Sequence, residues 1–191
     1  MPIKKINERG DTLVEVLLAF TLLALVSVGV FSLMHRGVGE TQNALERSQV
    51  RMSINQQTEL ANYLRDQYAV AVANGSSTTV YPASLWGAVK TRAAANKSTS
   101  PSASDNCSSV MANSFSIIYD TATSAYAIQS FTAANLTTAT FARPGAGLWI
   151  EPVASNGAAV PYVDLYVKAC WSPASGAVKQ SMSTVVRLYD K

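Results

Sequence analysis

An unbroken apolar segment is the strongest pattern in the chain. None of the nineteen residues from Val16 to Met34 is charged. As a helix they would span about 28 Å, close to the roughly 30 Å hydrocarbon core of a bilayer. The segment is longer than the apolar core of a secretory signal peptide, which has about 7 to 15 residues, and it lacks a small-residue cleavage motif at its end. The pattern predicts a membrane span over residues 16–34 that remains in the mature protein.

Helix-forming residues continue beyond this span. Residues 39–73 contain no proline and are rich in Glu, Gln, Arg, Leu and Ala, which all favour helix. Apolar residues recur there at spacings of 4, 7, 3 and 4, which place them on one helix face: Val50, Ile54, Ala61, Leu64 and Tyr68. We expect this face to pack on a C-terminal domain. On the other face, exposed to solvent or to neighbouring subunits, we expect Arg47, Arg51, Glu59 and Arg65. We expect the helix to end at Asn74-Gly75.

Later in the chain, apolar and polar residues alternate as in strands. After a short helix over residues 83–95 and a loop over residues 96–109, the predicted strands are Ser114–Tyr119, Ala125–Phe131, Gly147–Val153, Pro161–Trp171 and Val178–Tyr189. Residues 120–124 form the turn of a hairpin, and the last strand lies antiparallel to the one before it, at the centre or edge of the sheet. The predicted fold class is α+β: a long N-terminal helix, transmembrane in its first half, packed on a small antiparallel β-sheet head over residues 74–191.

The charges that flank the span predict its orientation. Lys4, Lys5 and Arg9 precede it, opposed only by Glu8, and an excess of Lys and Arg on a short flank favours a cytoplasmic N-terminus. The head is then expected outside the cell. An oxidising compartment allows disulfides to persist, so we expect Cys107 and Cys170 to be bonded. Two buried free thiols are the alternative.

The residues at the start of the span resemble a known family. Gly10 followed by Asp11-Thr12-Leu13-Val14-Glu15 and an apolar helix is similar to a type IV prepilin. The resemblance is specific over about the first thirty residues, and the remainder matches the family in layout. It implies that residues 1–10 are a leader, that a prepilin peptidase cuts between Gly10 and Asp11, that Asp11 becomes N-methylated, and that Glu15 is the fifth residue of the mature chain.

Glu15 has two candidate roles. The resemblance implies that it pairs with the N-terminal amine of another subunit during assembly, and an ionisable residue in a membrane segment is a functional candidate by default. Alternatively, Thr12 and Glu15 form a capping box at the helix start. Two features depart from the family pattern: Asp11 stands where most members have phenylalanine, and no proline occurs between Pro2 and Pro82.

Composition argues against catalysis. The chain has one histidine, His35, and neither clustered metal ligands nor a phosphate-binding glycine loop. We expect no enzyme activity, cofactor or metal. Lys90, Arg92 and Lys97 near Trp86 could contact nucleic acid by phosphate contacts and base stacking, but a solvated surface is the simpler interpretation.

Three functions are consistent with this sequence. The first is a structural subunit of a type IV pilus, and Asp11 and the size of the head favour a minor pilin. Such a subunit is anchored in the cell membrane before assembly and lies in an extracellular filament afterwards. Its partners would be other pilin subunits, the prepilin peptidase and the membrane, and the filament could serve adhesion or motility. The second is a pseudopilin of a secretion or DNA-uptake system. The third is a single-pass anchored binding domain that never polymerises.

Overall fold

The computed structural model describes most of the chain, and of residues 11 and 12 it describes the backbone alone. The described residues are 11–97, 99–102, 107–136, 147–155, 157, 160–173 and 178–189. The chain divides into two compact units, residues 1–42 and residues 43–191. The predicted leader over residues 1–10 lies outside the described residues.

One helix, α1 (Asp11–Ala73), supplies the described part of the first unit. It is long and apolar enough to cross a membrane, with a mean hydropathy of 2.6 over its most apolar window. In the first unit the large apolar side chains of α1 are open to the surroundings, with exposed fractions between 49% at Val30 and 71% at Leu25. The hydroxyls of Thr21 and Ser27 donate hydrogen bonds to carbonyls of the preceding turn, at 2.8 Å each, so they present no unpaired donor to lipid. The helix suits a membrane environment.

The second unit is built on a five-stranded antiparallel sheet. In chain order its elements are α2 (Ala83–Ala95), β1 (Phe115–Asp120), β2 (Ala125–Ser130), a short 3₁₀ turn (Ala133–Asn135), β3 (Gly147–Ala154), β4 (Tyr162–Trp171) and β5 (Gln180–Tyr189). The strands lie in the order β2-β1-β3-β4-β5. The predicted α+β architecture is confirmed, and β5, expected at the centre or the edge, is an edge strand. It pairs with β4 without interruption from Tyr162↔Tyr189 to Trp171↔Gln180.

The predicted helix face forms the core with one face of the sheet. Val50, Ile54, Ala61 and Leu64 are at most 3% exposed, and Tyr68 packs against the same cluster. The sheet contributes alternate side chains and α2 contributes three, a period-2 and a helical pattern respectively: Phe115, Ile117, Leu148, Ile150, Val163, Leu165, Val167, Ala169, Trp171 and Leu188 from strands, with Trp86, Val89 and Ala93 from α2. The second half of α1 therefore belongs to the head unit, which starts at Asn43.

Polar contacts fix α1 on the sheet. The Gln57 amide donates to the carbonyl of Ile117 at 2.8 Å and accepts from the Ile117 N–H at 2.9 Å. The side chain thereby satisfies both backbone groups of one β1 residue, as a neighbouring strand would. The indole of Trp171 donates to the Glu46 carboxylate at 3.2 Å, and both groups are buried.

The helix ends where the sequence predicted. Gly75 adopts a φ of +64°, a left-handed conformation that glycine reaches at little cost. The N–H of Ser76 bonds to the carbonyl of Ala71 at 2.8 Å, and the N–H of Gly75 bonds to that of Val72 at 3.1 Å. This pair of bonds is a Schellman motif, which satisfies the last carbonyls of a helix.

Candidate functional site

Glu15 lies on α1 in the first unit, among exposed apolar side chains. Leu13, Val14, Val16 and Leu17 around it are each more than half exposed, and Glu15 itself is exposed. Among the described residues it makes no hydrogen bond or ion pair, and a carboxylate in apolar surroundings is costly unless it is paired. Its carboxylate is therefore open to a partner from another molecule.

The start of α1 bears on the capping hypothesis. Asp11 and Thr12 already belong to the helix, whereas an N-cap residue has a non-helical backbone. Thr12 thus occupies a helical position and not the N-cap position that the capping box requires. The predicted cleavage position Gly10 and the side chain of Asp11 lie outside the described residues.

A second apolar face runs along α1 in the head unit, opposite the buried one. We call its residues the outer stripe: Leu45, Met52, Tyr63 and Val70, exposed by 56%, 63%, 44% and 54%. Their spacings of 7, 11 and 7 residues return to the same side of a helix with 3.6 residues per turn. Sequence reasoning identified the inner face and missed this one, although the same spacing rule detects it. Exposed apolar residues grouped on one side of a helix mark an interaction surface more often than scattered ones do.

The four charged residues predicted on the outer side of α1 differ in their exposure and contacts. Arg51 and Glu59 are exposed, as the sequence predicted. Arg47 is also exposed, and its guanidinium donates to the Gln180 side chain at 3.2 Å. Arg65 is half-buried and pairs with Asp66 at 2.6 Å.

The predicted disulfide between Cys107 and Cys170 is present, with an S–S distance of 2.04 Å and Cα atoms 5.9 Å apart. It joins the segment before β1 to β4 on the sheet face opposite the helices. Phe131 and Trp149 stack there with ring centroids 5.4 Å apart, and together with the two cysteines they form a separate small core. The sheet is therefore covered on both faces in this region.

A buried ion pair lies on the same sheet face. Glu151 on β3 is 0% exposed and Lys168 on β4 is 4% exposed, and the Lys168 ammonium lies 2.8 Å from the carboxylate. The carboxylate also accepts from the N–H and hydroxyl of Ser102, from the N–H of Met111 and from the indole of Trp149. The ammonium donates to the carbonyl and, at 2.8 Å, to the hydroxyl of Ser102. The pair fastens the segment before β1 to the sheet.

Hydrogen bonding determines the ionisation of Glu151. Burial alone would raise the pKa of its carboxyl, but the Lys168 ammonium and the donors of Ser102 and Trp149 outweigh burial and hold that pKa below its ordinary value. Charge-assisted bonds of this kind favour the ionised form. Sequence reasoning did not single out Glu151. The one signal in the sequence is a carboxylate in an otherwise apolar strand.

The residues that could contact nucleic acid do not form a site on which a base could stack. Trp86 is 0% exposed, so its ring cannot stack on a base. The Lys90 ammonium lies 3.9 Å from the centroid of the Tyr68 ring, and Arg92 donates to the Ser130 hydroxyl at 3.0 Å. Among the described residues, no group of three or more His, Cys, Asp or Glu side chains could hold a metal ion.

Comparison of the chain with protein-family models, with curated proteins and with solved structures found no match. The candidate surfaces are consequently defined by geometry, unit by unit. The first unit has an apolar helix whose Glu15 has no partner among the described residues, and the second has the outer stripe and a disulfide-linked head.

Proposed function

We propose that this chain is a structural subunit of a type IV pilus-like filament. It is cut after Gly10, held in the membrane by the first half of α1, and polymerises through that helix. The observation that carries the proposal is the apolar surface of α1, which remains exposed in both units. In the first unit lipid can cover it before assembly, but the outer stripe belongs to the head unit and has no intramolecular cover in the described residues.

The outer stripe supplies a driving force for association. Full burial of a large apolar side chain contributes about 1.5 to 3 kcal/mol. The four stripe residues are about half exposed, so covering them by neighbouring helices contributes roughly 4 kcal/mol per subunit. Small residues in the span, Ala19, Ala24, Ser27 and Gly29, allow helices to approach closely.

Glu15 supplies the specificity of assembly. Cleavage after Gly10 creates a free amine at Asp11, and the Glu15 carboxylate of one subunit pairs with that amine on another. A buried charge that lacks its partner is strongly unfavourable, so subunits in the wrong register are rejected. The Asp11 carboxylate lies beside the same amine in the sequence and competes with Glu15 for it.

The alternatives differ in what they leave unexplained. A pseudopilin of a secretion or DNA-uptake system would use the same helix and the same cleavage, and would differ in the assembly that it joins. A membrane-anchored binding domain that never polymerises leaves the outer stripe without a partner and Glu15 without a counter-charge.

The experiment analyses filaments sheared from cells and the membrane fraction that remains. We expect mass spectrometry to find a mature chain that begins at Asp11 in both fractions, and Glu15→Ala to stay in the membrane while its amount in filaments falls at least about tenfold, equivalent to about 1.4 kcal/mol per subunit. Glu40→Ala, an exposed carboxylate on the same helix, is the matched control and should assemble normally. A chain that retains Met1 or is cut beyond Met34, or normal assembly of Glu15→Ala, would contradict the proposal.

A further inference from the structure

A groove runs between α1 and the β1–β2 hairpin of the head. It encloses about 820 Å³ and lies beside the outer stripe, sharing Met52 with it. Its apolar lining consists of Met52, Leu60, Ile117, Tyr119 and Tyr126. The rings of Tyr119 and Tyr126 pack edge to face, with centroids 5.5 Å apart. We call this the hairpin groove.

Opposite charges line the hairpin groove at two levels. Arg51 and Glu59 both contribute to its wall, eight residues apart on α1, which corresponds to about 12 Å along the helix axis. They are too far apart to pair with each other, and neither forms an ion pair with another residue in the part of the chain that the structure describes. Arg65, by contrast, is already paired with Asp66.

Glu59 also interrupts the outer stripe. It follows Met52 by seven residues and precedes Tyr63 by four, so it lies on the same side of the helix. If the stripe is buried in the filament, Glu59 is buried with it and needs a cation, because an unpaired buried carboxylate is costly. A neighbouring copy can provide Arg51, which borders the same surface.

We propose that the hairpin groove is a contact with a second copy of this chain, in which Arg51 of one subunit pairs with Glu59 of the next. This inference rests on the proposed function, because it requires parallel helices in a filament. The pairing offsets neighbouring helices by eight residues, or about 12 Å. The contact is heterologous: each subunit retains an Arg51 on one side and a Glu59 on the other, so the chain of contacts continues without closing.

Charge reversal tests this contact in cells that assemble the wild-type protein. Arg51→Glu and Glu59→Arg each place like charges opposite one another, and we expect each to lower the amount of protein in filaments at least about tenfold. Their combination restores the pair with reversed polarity, and we expect assembly within about threefold of wild type. Lys97→Glu, an exposed lysine outside the groove, is the matched control for a change of surface charge and should have no effect.

Cross-linking provides a second readout that does not depend on the amount of filament. One subunit carries Arg51→Cys and a co-expressed subunit carries Glu59→Cys, and we expect oxidation to give a mixed dimer. Lys97→Cys in place of either should give none. Thermal unfolding of each full-length variant in detergent should match wild type, since both positions are exposed.

The outcomes separate the two proposals. If wild-type protein forms filaments but the single reversals assemble normally, or if folded, correctly cut double variants fail to recover, the groove contact is wrong and the filament function stands. If the wild-type chain is never found in a filament, both are wrong.

Discussion

The buried pair of Glu151 and Lys168 makes the sharpest prediction about stability. Lys168→Met preserves most of the side-chain volume and removes the charge, so the Glu151 carboxylate stays in a site with no exposure to solvent. Breaking a buried ion pair by removing one partner costs about 3 to 5 kcal/mol. The donors of Ser102, Met111 and Trp149 still bond the carboxylate, which places the expected loss near 3 kcal/mol. For a domain of this size that loss corresponds to a decrease in Tm of about 6 to 12 °C.

The assay is thermal unfolding of the full chain in detergent at neutral pH, with the disulfide intact. Tryptophan fluorescence reports on the head, because Trp86, Trp149 and Trp171 are all buried there. The matched control is Arg187→Met. The guanidinium of Arg187 binds the Asp164 carboxylate at 2.8 Å; the Arg187 side chain is 48% exposed and that of Asp164 is 11% exposed. Solvent therefore screens this pair more than the Glu151–Lys168 pair, and we expect its loss to cost less.

Two outcomes would refute the reasoning. If Lys168→Met lowers Tm no more than Arg187→Met does, burial does not make the loss of a partner in the Glu151–Lys168 pair more destabilising. If the double variant Glu151→Gln with Lys168→Met is as unstable as Lys168→Met alone, the cost does not come from the unpaired carboxylate, because the neutral amide removes that charge and retains an acceptor for the neighbouring donors.

Three further predictions concern pH, the disulfide and the outer stripe. The pKa of the Glu151 carboxyl is lower in the folded than in the unfolded chain. Its contribution to the free energy of unfolding is therefore complete above the ordinary glutamate pKa of about 4.3 and is lost as the pH falls through the folded-state value. Urea titrations at decreasing pH should show the difference in free energy of unfolding between wild type and the Glu151→Gln, Lys168→Met double variant shrinking. Reducing the disulfide, which closes a loop with a sequence separation of 63, should lower the free energy of unfolding by about 4 kcal/mol, measured by urea titration with and without reductant. Met52→Gln keeps a good helix former at a 63% exposed position and should leave Tm unchanged while reducing the amount in sheared filaments several-fold; equal incorporation would argue against burial of the stripe.

The parts of the fold that follow a short sequence period were predictable from the sequence. The buried face through Val50, Ile54 and Leu64, the strand alternation in β4 and the stop at Gly75 each depend on neighbours within a few residues. Cys107 and Cys170 were paired correctly because no other cysteine competes. Helix and strand periods are local properties of the sequence, so they can be recognised without knowledge of the tertiary fold.

The features that were missed depend on distant parts of the chain. Glu151 is buried because Ser102, about fifty residues away in sequence, packs on the sheet face opposite the helices. No local sequence pattern predicts that contact. Trp86 was placed beside surface lysines, but α2 directs it into the core. The proposed assembly role of Glu15 depends on a second molecule, so a single chain can only indicate it, by a carboxylate that has no partner among the described residues.

The attachment of α1 to the head has a mechanical consequence. The second half of α1 is anchored by the Gln57 amide on β1, by the hydrogen bond from Trp171 to Glu46, and by the buried face between them. In the proposed filament, tension would reach the head through this part of the helix. A pull along the helix axis loads these contacts together, in shear, and does not open them one at a time from an end. Extraction of this half of α1 from the head would therefore require the core to rupture as a whole.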